Sequence, residues 1–308
     1  MARATRKGLW IGLGLLGGVA LLAGGAVLFA GALAKPFVES ALGDALQRPV
    51  SIGRLHLSLG RQVTARAEDL VIGNPPGFPD EATPWLARVP RAVAVVEAWD
   101  WLRGRPLVIP RLELDRPRVE ARGLADGQTN YIFHGPPPPG EAGAGEPPGP
   151  RIDAVILREG SGRVAIAGLA ADFAVTLATV DPPGAPPRLL GEAQGTYAGQ
   201  PIIARLDGGA LLALQDASQP WPLRLDLTNG PVRLLLEGTL REPLALRGAD
   251  LRLTLAGPDM ALLAPLTGVP FAATPPFRLA GQFDYAAGRV RLLEMQGEVG
   301  RTDVAGGM

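Results

Sequence analysis

Apolar and polar residues alternate along most of this chain. Leu223, Leu225 and Leu227 interleave with Arg224, Asp226 and Thr228. Val232, Leu234 and Leu236 interleave with Arg233 and Glu237, and Leu251, Leu253 and Leu255 with Arg252 and Thr254. Phe277, Leu279, Phe283 and Tyr285 do the same with Arg278, Gln282 and Asp284. A period of two places one row of side chains on each face of a sheet. One apolar face and one wet face predict antiparallel strands in a meander. Val50, Ile52, Leu55, Leu57 and Leu59 begin an earlier extended stretch, and Asp126-Gly127 and Asn229-Gly230 mark turns. Helical periodicity is confined to short pieces. Phe37, Val38, Ala41, Leu42, Ala45 and Leu46 share one side of a predicted helix that ends before Pro49, and Pro258 to Leu266 is a second.

A different pattern precedes all of this. From Gly8 to Ala34 no residue is charged. A helix needs roughly 20 apolar residues to cross a hydrocarbon core. Arg3, Arg6 and Lys7 precede the run without any acid, and Lys35 closes it. The positive-inside rule then keeps the N-terminus in the cytoplasm and exports everything after residue 35. Ala32-Leu33-Ala34 resembles a signal-peptide cleavage site. The run is longer than the roughly 7–15 residues of a signal-peptide core, so an uncleaved anchor is expected.

Residues 135–150 read GPPPPGEAGAGEPPGP, a composition that builds a polyproline or disordered linker and no core. The predicted organisation is therefore a cytoplasmic N-terminus and anchor (1–35), a first β-rich segment (36–134), the linker (135–150) and a second β-rich segment (151–308). The fold class is mainly β: one transmembrane helix followed by an elongated antiparallel sheet or groove with a few short helices.

Charge and composition narrow the function. Thirty basic and 30 acidic residues leave no net charge, which argues against a nucleic-acid surface. Cysteine is absent, so no disulfide or thiolate site exists. Apolar residues make up 47% but aromatic ones only 5%, a supply of aliphatic surface with few rings to fill a compact core.

No catalytic constellation stands out. His56, between Leu55 and Leu57, is expected on the wet face of a strand, and His134 abuts the linker. No metal-ligand spacing and no phosphate loop occur. Gly160-Ser161-Gly162 lacks the outer glycines of a nucleophile elbow and reads as a flexible turn. Trp99 and Trp101 could contact sugar or a membrane interface, but burial ahead of Leu102 is the preferred reading. Catalytic residues, metals and cofactors are accordingly expected to be none.

Several stretches in order carry a family resemblance. Leu46-Gln47-Arg48-Pro49-Val50-Ser51-Ile52 is similar to "LGRPVSI", with Gln47 where glycine is expected. Asp69-Leu70-Val71-Ile72-Gly73-Asn74-Pro75-Pro76-Gly77-Phe78 matches "DLxxGNPPGF". Trp101-Leu102-Arg103-Gly104 and Leu112 to Val119 follow "LLxG…LxLxxPxV". Asp126-Gly127 with Asn130-Tyr131-Ile132-Phe133 resembles "DGxxNWxF". Gly248 to Leu251, Gly257 to Met260, Thr274 to Phe277 and Val299 to Gly306 look like later consensus elements. Together they resemble the AsmA family of envelope proteins (AsmA/TamB-like), relatives of the chorein-type lipid-bridge proteins. Members of that family usually continue past the last of these motifs, so the chain reads as an N-terminal part.

The resemblance implies a groove that shelters acyl chains and helps move phospholipid between inner and outer membranes, with the body in the periplasm. Phospholipid and the inner membrane are the implied partners. Envelope protein partners remain open. Leu225, Leu234, Leu253 and Leu279 are the groove candidates. The apolar face could equally pack on a second sheet as a sandwich. A scaffold for outer-membrane protein assembly is the alternative function, and an enzyme acting on envelope glycans a third.

Overall fold

The computed structural model describes residues 34–306, apart from 45, 80–82, 106–107, 133–150, 212–219, 243–246, 265–269 and 287–288. The uncharged run, His134 and the linker lie outside the described residues. Among those that are described, no helix is long and apolar enough to cross a membrane.

A helix over 34–44 (α1) leads into β1 (Val50–Ser58), β2 (Val63–Gly73) and β3 (Trp85–Val96). A five-residue helix, Ala98–Leu102 (α2), precedes β4 (Val108–Ile109), β5 (Arg111–Asp115) and β6 (Arg118–Gly123). Beyond the linker come β7 (Arg151–Ile152), β8 (Val155–Arg158), β9 (Gly160–Ile166), β10 (Ala171–Val180), β11 (Arg188–Tyr197) and β12 (Gln200–Gly208). They are followed by β13 (Trp221–Asn229), β14 (Val232–Glu242), β15 (Arg247–Gly257), β16 (Phe277–Ala286), β17 (Arg289–Val299) and β18 (Thr302–Gly306). All but β4 and β7 belong to one sheet, and β9 to β18 follow one another in it as an antiparallel meander. The two-sheet sandwich is therefore not built by the described residues.

Four expectations need correction. The sheet is mixed, because β5 pairs with β8 and β6 with β9 in parallel. The chain crosses over between these strands by way of the linker, and a crossover that returns in the same direction makes parallel neighbours. These pairs join the segments before and after the linker into one sheet. The second predicted helix is only a 3-10 turn, Met260–Leu263. Gly160-Ser161-Gly162 lies within β9, with Ser161 opposite Thr176, and is not a turn. Trp99 is 42% exposed rather than buried, and its Nε1 donates to the Gly60 carbonyl at 2.8 Å. His56 is exposed on β1, as its position between two leucines suggested.

A fault line crosses the first five strand positions. Gly53, Asp69, Pro90, Arg116 and Glu159 stand at successive places in the register. Asp69, Arg116 and Glu159 have φ of 53°, 48° and 48°, the left-handed region that residues with a Cβ adopt only at a cost. At this line the alternation slips by one residue in every strand: Ile52 then Leu55, Ala67 then Leu70, Val89 then Ala92, Leu114 then Pro117, Leu157 then Gly160. The left-handed residue takes up the odd position, so the apolar residues on both sides of the line stay on one face.

The stretches around Arg48, Asn74 and Asn130 meet at one place. Asn130, 1% exposed, donates from Nδ2 to Asn74 Oδ1 (2.9 Å) and to the Glu120 carbonyl (2.8 Å). Its Oδ1 accepts from Arg122 N–H (2.6 Å). Asn74 Nδ2 donates to the Thr83 carbonyl, and buried Arg48 donates from Nη2 to the Ile132 carbonyl. Gly73 fits here because a Cβ would sit 2.5 Å from the Pro49 ring. Gln47 has φ of 51°, and Arg48 N–H donates to the Gly43 carbonyl at 3.1 Å. That six-to-one bond is the Schellman end of α1, whose left-handed position favours glycine.

Three outcomes follow for stability, each read from urea midpoints. Gln47→Gly should stabilise the protein by about 0.5–1 kcal/mol, because glycine carries no left-handed penalty. Glu159→Val should cost about 1–2 kcal/mol, since a β-branched residue is worse in that conformation. Asn130→Ala should cost about 3 kcal/mol, because it strands the Arg122 N–H and the Glu120 carbonyl in a buried site.

Candidate functional site

The wet face of the meander carries alternating charge. Arg188 pairs with Asp207 and Arg224 with Glu237, Arg163 meets Asp172 at 2.7 Å, and Arg205 lies 3.7 Å from Glu192. Cross-strand opposites of this kind favour the register. Their exposure keeps each one weak.

The other face is apolar in rows. Leu206, Leu225, Leu236 and Leu253 stand opposite one another on four successive strands. Leu227, Leu234, Leu255 and Leu279 form the next row. The four candidate leucines thus share one face: Leu225 and Leu253 lie in the first row, Leu234 and Leu279 in the second. Large residues lie over glycines. A Cβ on Gly191 would meet the Leu177 side chain at 2.8 Å, and one on Gly208 would meet the Trp221 ring at 2.2 Å.

Burial along the strands is uneven. On β12, β13 and β14 the ends of the apolar row are buried and its middle is half-buried. Ile202 and Gly208 enclose Ala204 and Leu206; Trp221 and Asn229 enclose Leu223, Leu225 and Leu227; Val232 and Leu240 enclose Leu234 and Leu236. One margin is a cluster of Trp221, Leu240, Ala249 and Leu251. The other is Val232, Leu263 and Phe277, joined by Met260 and Phe271.

The second margin is built by the excursion between β15 and β16. The Asp259 side chain accepts from the N–H groups of Ala261 and Thr274, both at 2.9 Å. These backbone donors hold its carboxyl below the usual range. The excursion forms one side of an open apolar pocket of about 280 Å³ lined by Leu253, Leu255, Met260, Leu263, Phe271 and Leu279, with Met295 and Val304 on the other side. Leu253, 6% exposed, is the most enclosed of the candidates, while Leu225, Leu234 and Leu279 remain half-buried.

Sequence reasoning placed Leu236 on the apolar face without naming it a groove candidate, and missed Leu206 and the cover by Met260, Leu263 and Phe271. On β11 and β12 the alternation is carried by Gly191, Ala193, Gly195 and Ala204, which do not look like an apolar row. The cover touches the face through residues of an irregular segment, where no period exists to read.

No family model matches the chain, and no solved structure matches it. Among curated proteins it is similar to the AsmA family protein YhjG of Escherichia coli (strain K12), with 26% identity over 325 aligned positions. The alignment covers 89% of this chain and 45% of that protein, so the chain spans just under half the length of its relative. The stretches around Arg48, Asn74 and Asn130 converge on one knot, and Gly73 and Gln47 occupy positions whose geometry suits the glycines of the pattern. An alignment along nearly the whole chain to a curated AsmA family protein supports the resemblance to that family.

Proposed function

We propose that this protein is anchored in the inner membrane by the run from Gly8 to Ala34, and that its exported body carries acyl chains along the apolar face of the sheet. It would thereby contribute to phospholipid movement between inner and outer membranes and to outer-membrane homeostasis. One observation carries this reading. The leucine rows are in register across successive strands, and among the described residues no second sheet covers them. An uncovered apolar face of this extent suits an apolar ligand. From β9 to β18 the face runs about 43 Å at about 4.8 Å per strand. A lipid so held keeps its headgroup in water and its tails against leucine. The scaffold for outer-membrane protein assembly is the competing outcome of the test.

The measurement pairs stability with lipid crosslinking. Leu234→Glu, at a half-buried mid-row site, should unfold near the parent midpoint. Leu253→Glu should cost about 3 kcal/mol or more, because it buries a charge under the excursion. A photoreactive residue at Leu227, which stands opposite Leu234, should crosslink phospholipid in the parent and lose the crosslink in Leu234→Glu. A folded parent that crosslinks no lipid from this position, and yields a stable envelope-protein adduct instead, would favour the scaffold.

A further inference from the structure

The turn between β1 and β2 and the helix α2 form an open cleft of about 710 Å³, lined by Arg61, Gln62, Glu97, Trp99, Asp100 and Arg103. Small-molecule sites occupy roughly 300–1,000 Å³. Trp99 is 42% exposed, and its Nε1 donates to the Gly60 carbonyl of the turn at 2.8 Å. This bond ties the polar edge of the ring to the protein and spares a ligand the cost of ordering the side chain. With its N–H occupied, the ring offers a ligand aromatic carbon. Asp100 is engaged by Arg103 at 3.5 Å and by Arg105 at 3.2 Å. The side chains of Arg61, Gln62 and Glu97 take part in no hydrogen bond or ion pair among the described residues. Donors and an acceptor are therefore available round the ring.

We propose that this cleft binds a neutral saccharide, with one sugar ring stacked on Trp99 and its hydroxyls bonded by Arg61, Gln62 and Glu97. A pyranose carries C–H groups on its faces and hydroxyls round its rim. It is matched by an aromatic surface for the first and by polar side chains for the second. Charge selects the ligand. Two arginines and two acids line the cleft and balance, which favours a neutral polar partner over a phosphate headgroup or a charged peptide. A bilayer contact needs an apolar surface around the ring. Here every other lining side chain is charged or an amide, and Leu59, exposed next to Gly60, is not among them. The cleft is also remote from the leucine rows. β2 stands six places before β12 in the sheet, about 29 Å at about 4.8 Å per strand. Sugar binding here does not depend on lipid binding there.

The test uses the full chain in nanodiscs of phosphatidylethanolamine and phosphatidylglycerol, which contain no sugar. Saturation-transfer NMR is run against neutral tetrasaccharides of glucose, galactose, mannose and N-acetylglucosamine. At least one should receive saturation at its ring protons from the parent. Trp99→Ala should abolish the transfer, while Trp99→Phe, which keeps an aromatic ring, should retain it. Arg61→Ala and Glu97→Gln leave the ring in place and should each weaken binding about three- to tenfold, the worth of one hydrogen bond. Thermal unfolding is recorded for every variant, and these two should melt with the parent. Transfer that survives Trp99→Ala, or that no tetrasaccharide receives, overturns the proposal. So does unchanged binding in both Arg61→Ala and Glu97→Gln. Fluorescence of Trp99, taken as the difference between the parent and Trp99→Phe, should be unaffected by brominated lipid. Quenching of that difference identifies a bilayer contact and overturns the proposal.

Discussion

A sheet that is apolar on one side ordinarily buries that side against a second layer. The described residues supply no such layer, and much of the architecture follows from that constraint. Burial has to be found within the face itself. Leu177 lies over Gly191, and Trp221 lies over Gly208. The glycines are therefore recesses for neighbouring side chains as much as backbone residues. The excursion between β15 and β16 adds Met260, Leu263 and Phe271 over one margin. What these devices do not reach stays half in water.

A single sheet also has two ends and must stay continuous between them. At the first end, Glu39 and Lys35 of α1 bond to one N–H and one carbonyl of β1. The other end, β18, has every residue exposed. Continuity is threatened along the fault line, where a slip of one residue would send the apolar residues to the wet side. The left-handed residues Asp69, Arg116 and Glu159 absorb the slip. Each costs some stability, and together they keep one apolar side across the strands that precede the meander.

Much of this was legible in the residues. Period two from Leu223 onward placed β13 to β16 and assigned their faces, because each strand pairs with its sequence neighbour and no long-range choice intervenes. The parallel pairs β5–β8 and β6–β9 were not legible, since they join residues across the linker and depend on where the chain returns. The break from Ile52 to Leu55 was visible as a pattern. Its cause lay in the backbone angle of Asp69 on the next strand. Asn74 and Asn130 were noticed only as members of motifs. That they bond to each other is a contact between residues 56 apart, which no local period encodes.

The distribution of burial bears on how the apolar face should be understood. In a closed core the middle of a strand is the most enclosed part, and exposure rises toward the ends. On β13 the order is reversed: Trp221 at 4% and Asn229 at 3% lie at the ends, with half-buried leucines between them. β14 repeats the profile with Val232 at 1% and Leu240 at 3%. This is the profile of a trough with built-up sides. Leu253 departs from it, buried although it lies in the middle of β15. The margins therefore carry the packing that holds the strands in place, and the middle contributes less per residue to stability. Under the proposed lipid-carrying reading, a guest along the middle would leave in place the contacts at the margins that keep the strands folded.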